Sequence, residues 1–411
     1  MFRLLCGFFC LASLASAQSG GIAYINAHIE PIEGKAIERG TVAFQDGKIF
    51  YVGDGKAPNG FKTVDLKGAW VFPGFIDGAM TRGLKLPDTI QNEARDDATT
   101  VPTRLLPLNH KGVRPEILAS ACLDLAPALE SQHSNGFTLA YMVPGAGTFR
   151  GQGAVVALAE GKDVVVVPSY GQGMAFTIGT GAGFPSTKFG VMALIRQTML
   201  DAQRYGQFPP SQRSKELDPL SSLLPVLQDQ QTMMWFVDSS ADITRAMDMS
   251  SEFGARCAII GGREAYRLAN RLKEQSVPVI AGIAIGAEPE QPTADELPAN
   301  YLAQRKAKWR AGAMNLVTLD RAGIPFALTS LGDTSANFWP NLRKVVELGL
   351  SRESAMRALT SNAAKLFGLG DCGAIAVGKR ASLTVFTEDP FKKESKVTQI
   401  VINGTVVEVA K

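Results

Sequence analysis

Hydrophobic positions divide the chain into two strand-rich ends and an alternating middle. Residues 21–72 and 375–409 carry short apolar runs with turn signals between them, such as Asp46-Gly47 and Asn403-Gly404. The middle alternates strand-length apolar runs with helical periods over roughly 250 to 300 residues, near the usual size of a parallel barrel. Two β-rich ends around a different middle predict one small β-sandwich built from both termini.

The alternation in the middle predicts individual elements, although a doubly wound open sheet is an alternative arrangement of them. The predicted strands are Phe137 to Val143, Ala154 to Leu158, Met233 to Val237, Ala255 to Ile260, Val277 to Ile283 and Pro325 to Thr329. The predicted helices cover residues 115–134, 188–205, 240–253, 262–275, 302–322, 335–348 and 351–368. The polar stretches 84–114 and 207–225 are predicted loop excursions, which in a barrel often lie over the mouth.

The first residues have the pattern of a secretory signal peptide. Arg3 is followed by the apolar run Leu4 to Leu14 and by Ala15-Ser16-Ala17, a small-x-small cleavage site. We therefore expect residues 1–17 to be removed and the mature protein to be periplasmic or extracellular, with no membrane span. An uncleaved anchor is the alternative, but the apolar run is short for a span.

Composition and charge exclude few classes of binding partner. Apolar residues make up 45% of the chain, charged residues 20%, and the formal charge is +3. Such a balance gives no reason to expect nucleic acid or an anionic membrane as a partner. An unidentified small-molecule ligand, a protein partner or a homo-oligomer fits equally well. Outside the predicted leader, Cys122, Cys257 and Cys372 form an odd and sparse set that argues against a disulfide framework.

Motifs at both ends resemble the imidazolonepropionase-like and dihydroorotase-like members of the amidohydrolase superfamily. The N-terminal resemblance lies in Asp46-Gly47-Lys48-Ile49 and Pro73-Gly74-Phe75-Ile76-Asp77, and the C-terminal one in Asn362-Ala363-Ala364 and Gly378-Lys379-Arg380-Ala381. Weaker motifs of the middle, including Gly151-Gln152-Gly153-Ala154, resemble a secreted subgroup. The resemblance implies a TIM-like (β/α)8 barrel of the metal-dependent-hydrolase type over residues 73–371. It also implies a small β-sandwich from residues 18–72 and 372–411.

The resemblance further implies one or two divalent metals, such as Zn²⁺, held by imidazole and carboxylate at the carboxyl ends of barrel strands. This sequence departs from that pattern at each expected ligand position. The positions that match the family's His-x-His pair carry Ala79 and Thr81, and the one that matches its last aspartate carries Leu331. The two others fall at Phe236 or a neighbour within Trp235 to Asp238, and near Ile260-Gly261-Gly262, where glycine replaces histidine.

The chain has only three histidines, His28, His110 and His133, and none falls at the end of a predicted barrel strand. Carboxylates could still hold a hard ion such as Mg²⁺ or Ca²⁺, but Asp77, Asp238 and Asp333 show no clustered spacing. The sequence therefore predicts no metal and no other cofactor.

Several polar residues near predicted strand ends remain candidates for chemistry. Asp77 and Asp333 are the candidate catalytic groups, although Asp333 could equally cap the following helix and Asp77 could bond backbone. The Arg150 to Gly153 segment is interpreted as a glycine-rich turn whose amides could meet a ligand. The candidate ligand-binding residues are Thr81, Arg82, Arg150, Gln152 and Asp238.

Two functions follow from the resemblance and its departures. The first is an exported amidohydrolase-like protein, metal-free and catalytically degenerate, that binds a ligand or partner at the barrel mouth. The second is a hydrolase of carbon–nitrogen bonds other than peptide bonds that uses non-standard residues. The lost ligand positions favour the first function.

Overall fold

The computed structural model describes residues 20–87, 112–161, 163–178, 185–291, 298–331 and 335–409. Two eight-stranded sheets account for the strands within these ranges. The predicted signal peptide, most of the 84–114 excursion, His110 and the candidate Asp333 lie outside the described residues.

The first sheet combines strands from both ends of the chain. Its order is β16-β15-β14-β5-β1-β2-β3, and β4 pairs with β1. Alternating apolar side chains give it a core of its own, with Tyr24, Phe44 and Val401 buried in it. The strands are β1 (Ile22–Ile29), β2 (Ile37–Gln45), β3 (Lys48–Gly53), β4 (Lys62–Asp65), β5 (Trp70–Pro73), β14 (Leu383–Phe386), β15 (Val397–Ile402) and β16 (Thr405–Glu408).

The second sheet is a nearly closed barrel whose strands follow one another in chain order. Its strands are largely continuous apolar runs, as expected for strands covered on both faces. No backbone ladder joins the first strand to the last among the described strands, and side chains make that connection instead. The strands are β6 (Phe75–Met80), β7 (Phe137–Met142), β8 (Phe149–Ala157), β9 (Val165–Ala175), β10 (Thr232–Val237), β11 (Arg256–Gly261), β12 (Val279–Gly282) and β13 (Phe326–Thr329).

The barrel differs from the regular (β/α)8 pattern that the resemblance implied. Strands β7, β8 and β9 follow each other without an intervening helix, and β8 runs antiparallel to both neighbours. The other neighbouring pairs are parallel. Short connections explain this difference, because a parallel crossover needs a dozen or more residues whereas an antiparallel return needs few. The sequence prediction missed β9 entirely.

Helices follow the later strands, and several predicted helices are shorter or divided. Residues 262–275 form a 3-10 turn, Ala265–Leu268, before a short helix, and residues 115–134 form a 3-10 turn, Ala119–Ala121, before another. Two further 3-10 segments, Pro210–Gln212 and Lys215–Leu223, lie in the predicted 207–225 excursion. The helices are α1 (Ala126–Ser134), α2 (Lys188–Gln207), α3 (Leu224–Leu227), α4 (Ser240–Glu252), α5 (Ala269–Glu274), α6 (Ala299–Ala313), α7 (Asn315–Arg321), α8 (Ser335–Glu347), α9 (Arg352–Leu359) and α10 (Ser361–Leu366).

Trp235 fixes which face of β10 points toward the helices. Its indole N–H donates to the Ser250 hydroxyl in α4 at 2.8 Å, and its ring stacks on Phe176 with centroids 4.9 Å apart. Because side chains alternate along a strand, the neighbouring Phe236 points to the opposite face, into the barrel.

The cysteines of the described residues are buried or half-buried and unpaired. Cys122, Cys257 and Cys372 are free thiols, and burial raises the pKa of Cys257 and of Cys372 to about 12. Both thiols are therefore protonated near neutral pH and are poor nucleophiles. Within the described part of the chain, no helix combines the length and the apolar character needed to cross a membrane.

Candidate functional site

The barrel has one end at which most of its strands terminate. Strands β6, β7 and β9 to β13 run in the same direction, so their carboxyl ends lie at this end, which we call the mouth. The reversed strand β8 brings its amino end there, since Phe149 pairs with Met174 near the end of β9. The mouth is therefore the place to examine for the predicted site residues.

Asp77 lies where the barrel closes between β6 and β13. It is fully buried, and its Oδ1 accepts hydrogen bonds from the Ala79 amide at 3.2 Å and the Ser330 amide at 3.1 Å. Its Oδ2 accepts from the Ser330 hydroxyl. The Thr329 hydroxyl adds a bond across the same junction, donating to the Ala79 carbonyl at 2.5 Å. The Asp77 carboxylate thus replaces part of the backbone ladder that is missing at this junction.

Burial raises the pKa of the Asp77 carboxyl, and the hydrogen bonds from Ser330 and from the Ala79 amide offset the shift only in part. A raised pKa can indicate a general acid or base. Here the carboxylate has no access to solvent, and the contacts described above occupy both of its oxygens. These contacts assign Asp77 a structural task in closing the barrel.

Arg150 is the candidate residue that does face the mouth. It is the second residue of β8, and its guanidinium carbon lies 4.0 Å from the centroid of the Phe236 ring. Gly173 on the neighbouring β9 makes room for it, because a Cβ at Gly173 would come within 3.1 Å of the Arg150 Cβ. Arg150 therefore stacks on the aromatic ring at the position where the resemblance led us to expect a metal ligand.

The Arg150 guanidinium carries its charge in a partly dry environment. Burial lowers its pKa to about 10, so it remains protonated near neutral pH. Its described polar contact is a bond from Nε to the Gly147 carbonyl at 3.4 Å, and no described carboxylate forms an ion pair with it. A half-buried cation that contacts only an aromatic face and a carbonyl still has donors for an anion.

The Arg150 to Gly153 segment is not the predicted glycine-rich turn. It lies inside strand β8, and the Gln152 amide donates to the Ile117 carbonyl at 2.7 Å. Instead of facing a ligand, the Gln152 side chain belongs to a polar group beside the strand. Its Oε1 accepts from the Ser169 hydroxyl at 2.5 Å and from Gln231 Nε2 at 3.3 Å. The prediction of a turn was wrong because glycine also occurs inside strands, at points where the backbone of another segment comes close.

The remaining candidates lie on loops that follow barrel strands. Thr81 is half-buried directly after β6, next to Gly145, whose Cβ would come within 3.3 Å of the Thr81 Cβ. Arg82 is exposed. Asp238 is also exposed, and its Oδ1 accepts from the Arg263 amide at 3.3 Å, which connects the loops after β10 and β11. These three residues are not joined to Arg150 by any described contact.

The residues at the implied metal position do not fit a metal. Ala79 and Leu331 offer hydrocarbon, Gly261 has no side chain, and the Phe236 ring is covered by a guanidinium. Thr81 offers a single hydroxyl, which is a poor substitute for imidazole. A search of the described ranges finds no group of three or more His, Cys, Asp or Glu side chains that could hold an ion. A protonated guanidinium at this point would also repel a divalent cation.

Comparison with known proteins places the architecture in one class. The Amidohydrolase family model matches residues 224–408, the second half of the barrel with the C-terminal strands. The comparison with curated proteins gives no match. Together with the solved structures described next, the family match defines an amidohydrolase-type fold with a nearly closed eight-stranded barrel and a second sheet.

Solved structures share this fold over almost the whole chain. An amidohydrolase from Thermotoga maritima MSB8 has a TM-score of 0.75 at 23% identity, covering 95% of this chain and 100% of that one. A prolidase complexed with N-methylphosphonate-L-proline has a TM-score of 0.57 at 19% identity, covering 95% and 100%. A Xaa-Pro dipeptidase with bound methionine has a TM-score of 0.55 at 15% identity, again covering 95% and 100%.

Proposed function

We propose that this chain is an exported amidohydrolase-like protein that works without a metal and binds a carboxylate-bearing small molecule at the barrel mouth. The observation that carries the proposal is Arg150, a half-buried guanidinium stacked on Phe236 with no described carboxylate partner. In this proposal the arginine supplies the positive charge that a metal would bring to related barrels. We also propose that the barrel is a modified (β/α)8 barrel and that the sheet built from both chain ends is a β-sandwich.

The chemistry of arginine suits this role. Its planar guanidinium can bind both oxygens of a carboxylate, and such charge-assisted bonds are stronger than neutral ones. Stacking on Phe236 holds the plane of the guanidinium, which reduces the entropy lost when a ligand binds. Partial removal of water around Arg150 strengthens its attraction for an anion.

Fold likeness suggests which carboxylates to test first. Two of the similar structures are described with N-methylphosphonate-L-proline and with methionine, and both proteins carry peptidase names. N-acyl amino acids are therefore reasonable probes for this mouth. The Amidohydrolase family match supports a second candidate function, a hydrolase of carbon–nitrogen bonds that uses non-standard residues. For that function the sequence offers Asp77 and Asp333 as acid–base groups, and the buried contacts of Asp77 leave Asp333 as the one to test.

Calorimetric titration of N-acetyl-L-proline into chelator-treated protein tests the proposal. We expect binding without added metal, and we expect Arg150→Met to weaken it by about tenfold or more, because a charge-assisted bond is lost. Arg213→Met is the matched control, since Arg213 also stacks on an aromatic ring, that of Tyr205, with its guanidinium carbon 5.0 Å from the centroid. The control should bind as tightly as the parent protein.

Metal analysis and product analysis separate the alternatives. About one equivalent of Zn²⁺ in the purified protein, with a melting temperature that rises with metal concentration, would overturn the metal-free proposal. Release of acetate from N-acetyl-L-proline would establish the hydrolase instead. Absence of binding, or equal weakening by Arg150→Met and Arg213→Met, would remove Arg150 as the anchor.

A further inference from the structure

A cavity of about 310 Å³ lies beside the carboxyl end of β12, between the barrel and helices α6 and α7. It shares no lining residue with the Arg150–Phe236 group, so it is a separate feature of the molecule. Its volume is at the lower end of the range for small-molecule sites. Its lining includes apolar and basic side chains, among them Arg263, Ile283, Arg305, Lys308, Trp309 and Leu316.

One side of the cavity is apolar and firmly held. Ile283 and Leu316 are buried and belong to the barrel core. The indole N–H of Trp309 donates to the Ile285 carbonyl at 3.1 Å, which fixes the ring as a wall of the cavity. Such a surface suits a flat hydrocarbon body, because aromatic rings gain from both burial and ring contact.

The other side of the cavity is positively charged. Arg263, Arg305 and Lys308 line it together with a single carboxylate, Glu264. Glu264 is already engaged, since its Oε2 accepts from the Ser240 amide at 3.0 Å and from the Ser240 hydroxyl at 3.1 Å. The bond from the Ser240 amide is the main reason that the pKa of Glu264 is lowered, so this carboxylate stays ionised.

Arg305 and Lys308 are left as cations without an ion-pair partner among the described residues. They are three positions apart on α6, so their side chains lie on the same face of the helix. Arg263 is already paired with the Asp238 carboxylate at 3.7 Å. The excess positive charge of the lining therefore comes from Arg305 and Lys308, and a single anionic group is the complement of that surface.

Helix α6 is largely exposed. Of its fifteen residues, only Ala313 is buried, and charged side chains occur on all sides. A helix that is polar all round has little apolar surface with which to hold itself against a barrel. Trp309 connects α6 to its surroundings through the Ile285 carbonyl and through the Lys344 ammonium, which lies 5.0 Å from the ring centroid. A ligand packed against the ring would add apolar contact to these polar ones.

We infer that this cavity binds a small aromatic carboxylic acid, with its ring between Trp309 and Leu316 and its carboxylate at Arg305 and Lys308. The proposal combines an apolar wall with two cations, Arg305 and Lys308, that have no ion-pair partner among the described residues and neighbour Trp309 on the same helix. It goes beyond the proposed function of the mouth, because it assigns a second ligand site to different residues.

Calorimetric titration with phenylacetate and with phenylacetamide tests this site. The two probes have nearly the same shape and differ in charge, so we expect the amide to bind about tenfold more weakly. The titrations are made in the Arg150→Met background, in which the mouth lacks its proposed anchor. Failure of the mouth proposal therefore leaves this result unaffected, and the reverse also holds.

Two pairs of variants locate the binding. Gly312 lines the cavity and has open space at its Cβ position, so Gly312→Leu fills the cavity while improving a helical residue. We expect this variant to lose phenylacetate binding while keeping or raising its melting temperature. Arg305→Gln/Lys308→Gln should lose binding by about tenfold, whereas Lys306→Gln/Arg310→Gln changes the charge of α6 equally outside the cavity and should not.

Three results would overturn the inference. The first is no heat of phenylacetate binding at millimolar probe. The second is undiminished binding by Gly312→Leu. The third is equal weakening by the two double variants, which would indicate general attraction to a basic helix instead of a site.

Discussion

Replacing Asp77 by alanine is expected to lower the free energy of unfolding by about 3 kcal/mol, because it leaves buried donors without an acceptor. Three groups donate to this carboxylate at the junction of β6 and β13: the Ala79 amide, the Ser330 amide and the Ser330 hydroxyl. Urea unfolding followed by circular dichroism measures the loss as a shift in midpoint at constant slope.

Asp77→Asn is the informative companion, because an amide keeps one acceptor oxygen and adds donors without a charge. The sign of its pH dependence follows from the raised pKa of Asp77. The stability that the protonated carboxyl contributes is complete below the unfolded pKa of about 3.9 and is lost as the pH rises through the higher folded value. The free energy of unfolding of the asparagine variant, relative to that of the parent protein, should therefore rise across that interval and stay constant above it.

The opposite pattern would contradict a structural role. If Asp77→Ala unfolds at the same urea concentration as the parent protein, the carboxylate does not close the barrel. If Asp77→Asn is as unstable as Asp77→Ala at every pH, the hydrogen bonds of the junction require the charge.

Gly151→Ala is expected to cost about 3 kcal/mol or more, since it combines backbone strain with a collision. Gly151 has a φ of +102°, and a Cβ there would lie 2.6 Å from the Ile117 carbonyl oxygen. That oxygen cannot move freely, because it accepts the Gln152 amide at 2.7 Å. The loss is measured by urea unfolding, and near-ultraviolet circular dichroism reports whether the packing around β8 changes.

Gly161→Ala separates the two causes. Gly161 has a similar φ of +116°, but no atom lies within 4 Å of its Cβ position. We expect this control to lose only about 1 kcal/mol, the cost of a left-handed conformation for alanine. Equal losses at the two positions would mean that Ile117 yields to the new methyl group.

Much of the barrel could be predicted from the sequence, because its later strands are short apolar runs bounded by clear helices. Met233 to Val237 and Pro325 to Thr329 coincide with β10 and β13 to within one residue at each end. The composite sheet could also be predicted, because turn signals such as Asp46-Gly47 and Asn403-Gly404 separate its short apolar runs.

The region of β8 and β9 could not be predicted in this way. Strand β9 contains Pro168, Ser169 and Gln172, so its polar residues conceal the apolar pattern. The glycines of β8 indicated a turn because glycine is common in turns as well as in strands that other backbone approaches closely. The contact between Arg150 and Phe236 depends on the reversal of β8, and periodicity carries no information about strand direction.

The junction between β6 and β13 also has a consequence for how the protein is made. The first barrel strand follows directly on β5, which pairs with β1 and with β14 near the other terminus. Neither the barrel nor the composite sheet can therefore be completed until residues far apart in the chain have met. Such distant contacts fold slowly and leave strand edges exposed during synthesis. The bonds of Asp77 and Thr329 across the junction cannot form until residues 329 and 330 have been synthesised.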